Sequence, residues 1–339
     1  MLMNPLEYLY LIGYKLHKSY GLTRRKRLEG RTISVGNLTL GGTGKTPLTI
    51  EIAREAIKRG FTISILTRGY KSKSDESIIV SKGHGPLVDW EDSGDEPFLM
   101  ALKTPGAWIV KDPNRYRGGL ISGLKDLFVL DDGFQHWPLH RDIDVVLIDS
   151  SDPFGGGRLL PFGRLREPLQ ALSRASVIVI TKAHERLESL EKKIRQYNQK
   201  APIFYGEYRI DGFRAFTGIK SSGEITTKRA FIFSGIGNPA HFEALLSEYG
   251  VQVVGSERFR DHHQYTERDL DRIVRLAKKA NAEVLITTEK DLVRLRGFEE
   301  PEIPLYAVSI RLDIKDKSFF ELLFKGLVPK EKQHPGTGG

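Results

Sequence analysis

Residues 36–46 read Gly36-Asn-Leu-Thr-Leu-Gly-Gly-Thr-Gly-Lys-Thr46 and lie between an apolar run at 33–35 and an apolar-periodic helix. Strand, glycine-rich turn and helix in that order form the phosphate loop of a nucleoside triphosphate site. Gly41, Gly42 and Gly44 free the backbone to aim successive N–H groups, aided by the helix N-terminus, at phosphate oxygens. Lys45 adds a point charge at the β and γ phosphates, Thr46 offers a hydroxyl to Mg²⁺, and Pro47 suits the first helical turn, where its missing N–H has no partner to lose. The candidate cradle is Thr39, Leu40, Gly41, Gly42, Thr43, Gly44, Lys45 and Thr46. The strict pattern has glycine five residues before Gly44; this chain has Thr39 there, so other residues must make the early turn. A glycine-rich packing turn is the bland alternative.

At 339 residues the chain is long enough for two domains. With 40% hydrophobic and 28% charged residues it reads as globular rather than disordered. It has no cysteine, which excludes disulfides and thiolate metal sites. The formal charge of +9 calls for an anionic partner. That excess is concentrated in the first 31 residues, where Lys15, Lys18, Arg24, Arg25, Lys26, Arg27 and Arg31 outnumber Glu7 and Glu29. Leu6, Leu9, Tyr10, Gly13, Leu16 and Tyr20 recur there at helical spacing, in a run too short to span a bilayer and without the cleavage site of a signal peptide. Two readings stand side by side: a helix lying in a membrane surface with its cations facing anionic lipid, and a first helix packed on the body of the protein.

Apolar runs at 32–35, 61–66, 78–80, 108–110, 127–130, 145–148 and 177–180 alternate with helical patterns, so the expected class is α/β, a mostly parallel sheet with helices on both faces. The first helix carries Leu48, Ile52, Ala56 and Ile57 and stops at Gly60. Short alternating aromatic segments from 204 suggest a two-stranded connector over 204–227, and a smaller α/β domain follows over 228–330. The expected organisation is completed by an N-terminal segment 1–30 and a phosphate-loop core 31–203. In the smaller domain Thr266 and Asp269 make an N-terminal capping signal. The Gly235-Ile-Gly237 turn is weak evidence for phosphate, and packing explains it as well. The tail 333–339 is expected to fray.

Asp131 and Asp132 end an apolar strand, which brings their carboxylates to the sheet edge where the phosphate loop sits and makes them candidates for Mg²⁺; a plain turn before Gly133 is the alternative. The next stretch is rich in polar and aromatic groups, with His136 and His140 able to orient it or to react. Transfer to an alcohol also needs a proton acceptor. Asp95, in Asp92-Ser-Gly-Asp-Glu-Pro, is the candidate, against a simple helix-capping role. Arg258-Phe-Arg-Asp-His-His-Gln-Tyr265 offers two imidazoles beside an acid, or a surface loop. Arg164 and Arg166 suit a bidentate phosphate grip, Glu167 the outer shell of a metal, and Thr67-Arg-Gly-Tyr places Arg68 and Tyr70 on the same rim. Guanine recognition wants aspartate in Asn/Thr-Lys-x-Asp; Thr181-Lys-Ala-His184 ends in histidine, which favours ATP.

Taken together, Ser34-Val-Gly-Asn-Leu-Thr-Leu-Gly-Gly-Thr-Gly-Lys-Thr-Pro47, Thr67-Arg-Gly-Tyr70, Gly94-Asp-Glu-Pro97, Leu130-Asp-Asp-Gly-Phe-Gln-His136, Leu165-Arg-Glu-Pro168 and Thr287-Thr-Glu-Lys-Asp291 resemble the tetraacyldisaccharide 4′-kinase family of lipid A synthesis, in the family's order and over roughly residues 1 to 295. The absent early glycine at Thr39 is a feature of that family. The resemblance implies transfer of the ATP γ-phosphate to the 4′-hydroxyl of an acylated glucosamine disaccharide 1-phosphate, giving lipid IVA. It places a peripheral enzyme at the cytoplasmic face of the bacterial inner membrane, where the basic N-terminus would meet anionic lipid; no obligatory protein partner is expected, and nucleic acid is set aside because the chain has no recognisable module or stacking platform for it. It further implies Asp95 and His262 as a proton-accepting dyad, His262 rather than His263 resting on the Asp-His order, and Asp131 and Asp132 as ligands of Mg²⁺. A nucleotide-dependent switch is the rival class, but a switch has no need for Asp95, the basic N-terminal helix or the 164–167 cluster.

Overall fold

The structure, a computed structural model, describes residues 4–69, 76–183, 185–217, 220–221 and 225–329. Tyr70, His184 and the tail 333–339, which carried three of the expectations above, lie outside the described residues. The chain divides into two compact units, Met1–Gly206 together with Ile314–Gly339, and Glu207–Asp313.

The first unit begins with α1 (Pro5–Thr23), capped by Asn4 and Glu7, and continues through β1 (Arg31–Asn37), α2 (Lys45–Lys58), β2 (Ile63–Thr67) and β3 (Ile78–Lys82). After α3 (Trp90–Ser93) and α4 (Asp95–Lys103) come β4 (Trp108–Lys111), α5 (Arg115–Ile121), β5 (Leu127–Asp131), β6 (Ile143–Asp149), β7 (Val177–Thr181), α6 (Glu188–Arg195) and the start of β8 (Ile203–Ala215). Strand order is β8-β7-β6-β1-β5-β2-β4-β3, parallel except for β3 against β4. Strands β2, β5 and β7 are buried at every position, as a sheet covered on both faces requires. The chain builds to one side of β1 through β5 and to the other from β6 onward. The ends of β1 and β5 therefore lie at a topological switch point, where open α/β sheets bind ligands. Helix α2 stops where expected, with Gly60 at φ 83°.

The second unit contains β9 (Lys220–Ser221), β10 (Arg229–Ser234), α7 (Pro239–Glu248), β11 (Gln252–Arg258), α8 (Glu267–Lys279), β12 (Val284–Thr288), α9 (Glu289–Arg294) and β13 (Leu305–Ile314). Strands β11, β10, β12 and β13 run parallel in that order. Alternate β10 residues enter different cores, Ala230 and Ile232 one, Phe231 and Phe233 the other, so this sheet too is covered on both faces. The Thr266–Asp269 capping box forms as its sequence implies.

Two boundaries differ from the sequence reading. The connector is one long strand, β8, which carries the chain out of the first unit; β9 adds a short antiparallel partner, and β13 carries the chain back. The smaller unit therefore ends before residue 330. Residues 314–329 belong to the first unit, because α10 (Ser318–Phe324) packs Phe319 on Phe204 and Phe324 on Phe61. Helix α1 is likewise part of the first unit rather than a separate segment. Its inward face carries Glu7, paired with Arg158 at 2.9 Å, and Gly21, where a Cβ would meet Trp137. Of the expected apolar stripe, Leu6, Leu9, Leu16 and Tyr20 face outward and remain exposed, whereas Tyr10 turns inward.

Candidate functional site

Gly44 caps α2 in the left-handed conformation at φ 95°, and Gly41 has φ 113°, so the two glycines make the backbone reversals a phosphate loop needs. Thr39 explains how the loop dispenses with an early glycine. It is buried in an extended bridge with Leu165, flanked by Leu40 N–H donating to Arg164 O at 2.8 Å and Arg166 N–H donating to Leu38 O at 2.7 Å. The first half of the loop is thus a short strand held by the 164–166 segment, and the turning is left to Gly41 and Gly44. Leu40 is exposed, Thr43 is buried with its carbonyl accepting from the Thr181 hydroxyl, and Gly42 has open space around its Cα.

Lys45 is the first residue of α2 and donates to Asn37 Oδ1 at 3.3 Å, with Asp132 Oδ1 at 3.8 Å. Asp132 in turn accepts both arms of the Arg166 guanidinium, at 2.9 and 3.0 Å. Arg166 also donates to the Asn37 carbonyl at 2.9 Å and to the Asn37 side chain. Asp132 sits just past β5 with φ 51°, a backbone state that non-glycine residues seldom adopt and that turns it toward the loop. Burial works against its charge, but Lys45, Arg166 and Arg115 prevail and hold its carboxyl down at about 2. Asp131, buried at the end of β5, accepts from Thr49 one turn into α2 at 3.3 Å, and Thr46 is buried beside it on the same helix.

The structure gathers Lys45, Thr46, Asp131, Asp132 and Arg166 around one loop. Arg164 lies at its rim, half exposed, 3.4 Å from Asp152 and with its guanidinium against Gly41. Arg68 is exposed at the end of β2, near enough to Arg115 and His136 to affect both electrostatically. Glu167 lies behind the loop. Its carboxylate is fully buried and accepts from Tyr14 at 2.7 Å, Gln135 at 2.6 Å and Arg174 at 3.0 Å, so it organises side chains there. His136 is kept neutral, its pKa pushed down to about 3 by burial and then by Arg115 and Arg141.

Asp95 is buried at the first position of α4, where its carboxylate accepts from the Glu96 N–H at 2.8 Å. Gly94, at φ 92°, makes the break from α3. In the second unit His262 has φ 60°, its N–H donating to Gly235 O at 3.0 Å, and Asp261 lies 3.8 Å from its Nε2. His263 is committed within that unit, stacked on Phe259 and 3.1 Å from Asp269.

Sequence reasoning missed Asn37, Arg115 and Gln135. Arg115 is buried after β4 in Asp112-Pro-Asn-Arg, and burial lowers its pKa to about 10 despite the attraction of Asp132. The signal was available: Asn37 and Asp112 are polar residues where a buried strand ends, as Asp131 is.

The sequence profile of tetraacyldisaccharide-1-P 4′-kinases matches residues 1–327. A tetraacyldisaccharide 4′-kinase of Halothermothrix orenii is 36% identical, over 93% of this chain and 89% of its own. One of Desulfotalea psychrophila is also 36% identical, over 95% and 98%. Among solved structures, the LpxK of Aquifex aeolicus in complex with ATP superposes with a TM-score of 0.74 at 31% identity, covering 94% of this chain and 96% of that one. Sequence motifs, sheet order and the composition of the loop agree with these similarities, and the chain belongs to the tetraacyldisaccharide 4′-kinase family.

Proposed function

We propose that this protein transfers the γ-phosphate of ATP to the 4′-hydroxyl of an acylated glucosamine disaccharide 1-phosphate, forming lipid IVA for lipid A. The observation that carries the reading is the grouping of Lys45, Asn37, Asp132 and Arg166 around a loop reversed at Gly41 and Gly44. Phosphoryl transfer asks a protein mainly for positioning and charge neutralisation, and this group supplies both. The loop N–H groups and Lys45 hold the β and γ phosphates. Arg166 and Arg164 are placed to balance charge as the Pγ–O bond to ADP breaks and the sugar oxygen bonds to phosphorus.

The residues present fit Mg²⁺. Two adjacent carboxylates and the Thr46 hydroxyl match an ion that takes one or two carboxylates and completes its shell with phosphates and water. No group of three or more acidic, histidine or cysteine ligands occurs among the described residues, and such a shell needs none. Bound there, Mg²⁺ would neutralise phosphate charge. Asp95 takes the proton of the attacking hydroxyl, and His262, the dyad partner implied by the family resemblance, belongs to the second unit.

The outward face of α1 supports a peripheral place on anionic lipid at the cytoplasmic face of the inner membrane. Leu9 and Leu16 are 66% and 67% exposed on a helix followed by exposed Arg24, Arg25, Lys26 and Arg27, a combination suited to the headgroup layer. No helix among the described residues is long and apolar enough to cross a membrane.

The test is incubation with γ-labelled ATP, Mg²⁺ and the tetraacyl disaccharide 1-phosphate in detergent, comparing wild type with Asp95→Ala. Label on the lipid, lost in the variant, is the expected result. Free phosphate with no labelled lipid would overturn the reading in favour of a switch.

A further inference from the structure

The face of α1 opposite the exposed leucines is polar in an unusual way, with two tyrosine hydroxyls directed at the segment that supports the phosphate loop. Tyr10 Oη donates to the Arg166 carbonyl at 2.6 Å, and Tyr14 Oη donates to Glu167 Oε2 at 2.7 Å. The Arg166 backbone is then held from both sides, its carbonyl by Tyr10 and its N–H by Leu38 O in the loop strand. From Glu167 the network returns to the site, because Gln135 Nε2 donates to Glu167 Oε1 at 2.6 Å and to the Asn37 carbonyl at 2.9 Å. Asn37 is the residue that Lys45 and Arg166 both contact.

The surroundings of the Tyr14 hydroxyl are aromatic and cationic. Tyr14 meets Trp137 edge to face at 6.2 Å, and Arg174 both pairs with Glu167 and lies over Phe134 and Trp137 at 4.2 and 4.4 Å. Gly21 allows α1 to approach Trp137 this closely, since a Cβ there would come within 2.5 Å of the Trp137 Cβ. Phe134 and Trp137 lie in the segment that follows Asp132, and Arg166 and Glu167 in the one that pairs with the loop. Helix α1 therefore touches both segments that bring charged groups to the phosphates. Glu7 and Arg158 hold its first turn to the body independently of these contacts.

We propose that Tyr10 and Tyr14 are positioning residues for ATP, so that α1 braces the phosphate loop through Arg166, Glu167, Gln135 and Asn37. One helix then serves two tasks with opposite faces, lipid outside and nucleotide inside. The inference rests on the reading that Arg166 and Asn37 lie beside bound phosphate. Loss of the Tyr10 hydroxyl removes its bond to the Arg166 carbonyl, and loss of the Tyr14 hydroxyl leaves the Glu167 Oε2 carboxylate oxygen to Arg174.

The experiment uses the full chain with Tyr10→Phe, the Tyr10→Phe/Tyr14→Phe pair and Arg166→Lys, each checked by thermal melting. ATP affinity is measured without lipid, and KM is measured separately for ATP and for the lipid. The expected result is an ATP affinity about tenfold weaker in the double variant, a smaller loss in Tyr10→Phe, and an unchanged KM for the lipid. Unchanged ATP affinity in the tyrosine variants, with Arg166→Lys still impaired, would overturn the brace while leaving the site reading intact. Unchanged affinity in Arg166→Lys as well would remove the site reading on which the brace rests. A rise confined to the lipid KM would assign the tyrosines to the acceptor and also overturn the proposal.

Discussion

Each unit has a parallel strand running into a glycine turn and then a helix, β1 to α2 in the first and β10 to α7 in the second, yet the two turns differ in where their anion comes from. In the first, Gly41 and Gly44 have positive φ, Lys45 opens the helix, and Arg164 lies against Gly41. In the second, neither Gly235 nor Gly237 adopts positive φ, and Gly235 is closely packed, since a Cβ would come to 3.2 Å from Arg260 O, Asp291 Oδ1 and the His263 Cβ. There the anion is internal. Asp291, fully buried, accepts from Gly235 N–H at 3.0 Å, Tyr265 at 2.9 Å, Thr288 at 2.6 Å and Arg294 at 3.0 Å. Burial and the Asp291 carboxylate push the Tyr265 phenol up, which keeps it a donor. What separates the turns is where the carboxylate goes: in the second it accepts from the turn N–H of Gly235, whereas in the first Asp132 pairs with Lys45 and Arg166 and Asp131 accepts from Thr49.

The largest effect that would break this contrast is at the cationic turn. Lys45→Ala or Asp132→Ala should lower the transfer rate by about a hundredfold to a thousandfold, the cost of losing one preorganised charge at a transition state. Full turnover in either variant, with an unchanged melting curve, would show that the loop does not handle phosphate.

At the anionic turn the effect should be on stability. Asp291→Asn removes the buried carboxylate that Arg294 bonds at 3.0 Å, at a cost of about 3 kcal/mol or more, read from the urea midpoint. Adding Arg294→Met should recover much of that loss, and a variant as stable as wild type would mean that Asp291 is not the internal anion.

A weaker effect is expected on the outer face of α1, where Leu16→Ser should lower partition onto anionic vesicles by about tenfold, the equivalent of roughly 1.5 kcal/mol of apolar burial. Equal sedimentation with vesicles would remove the lipid role of that face.

The smallest effect is a titration that sharpens the comparison. His136 owes its low pKa of about 3 to burial and to the cations around the loop, Arg115 first among them. Arg115→Met should move the titration of its ring upward in NMR. Because the folded value lies below the ordinary 6.5, the unfolded chain takes up the proton first. Stability is therefore complete above about pH 6.5 and falls as the pH drops toward 3, less steeply in the variant. An unmoved resonance would mean that Arg115 does not help to keep the imidazole neutral.

How far each feature was legible depended on how far its cause extended along the chain. The strands of the first sheet from β1 to β7, the end of α2 at Gly60, the Thr266 cap and the loop from Gly41 to Thr46 follow from neighbours a few residues apart, and the structure has them close to where the pattern put them. Asp131 and Asp132 were readable for the same reason, since an apolar strand that ends in acids delivers them to the sheet edge. Glu167 was not, because its partners Tyr14 and Gln135 are 153 and 32 residues away and no local pattern records them.

The sequence by itself determined the α/β class, the phosphate loop and the pair of acids, because hydrophobic period, glycine placement and strand-end polarity are local properties. Tertiary structure alone decided that Thr39 is a bridge residue needing no glycine, that α1 divides its faces between solvent and the 164–167 segment, that α10 returns to the first unit, and that the second glycine turn is filled by Asp291. Each of these is set by which distant donors meet which buried acceptors, and a buried polar group must find its partner wherever the fold brings one.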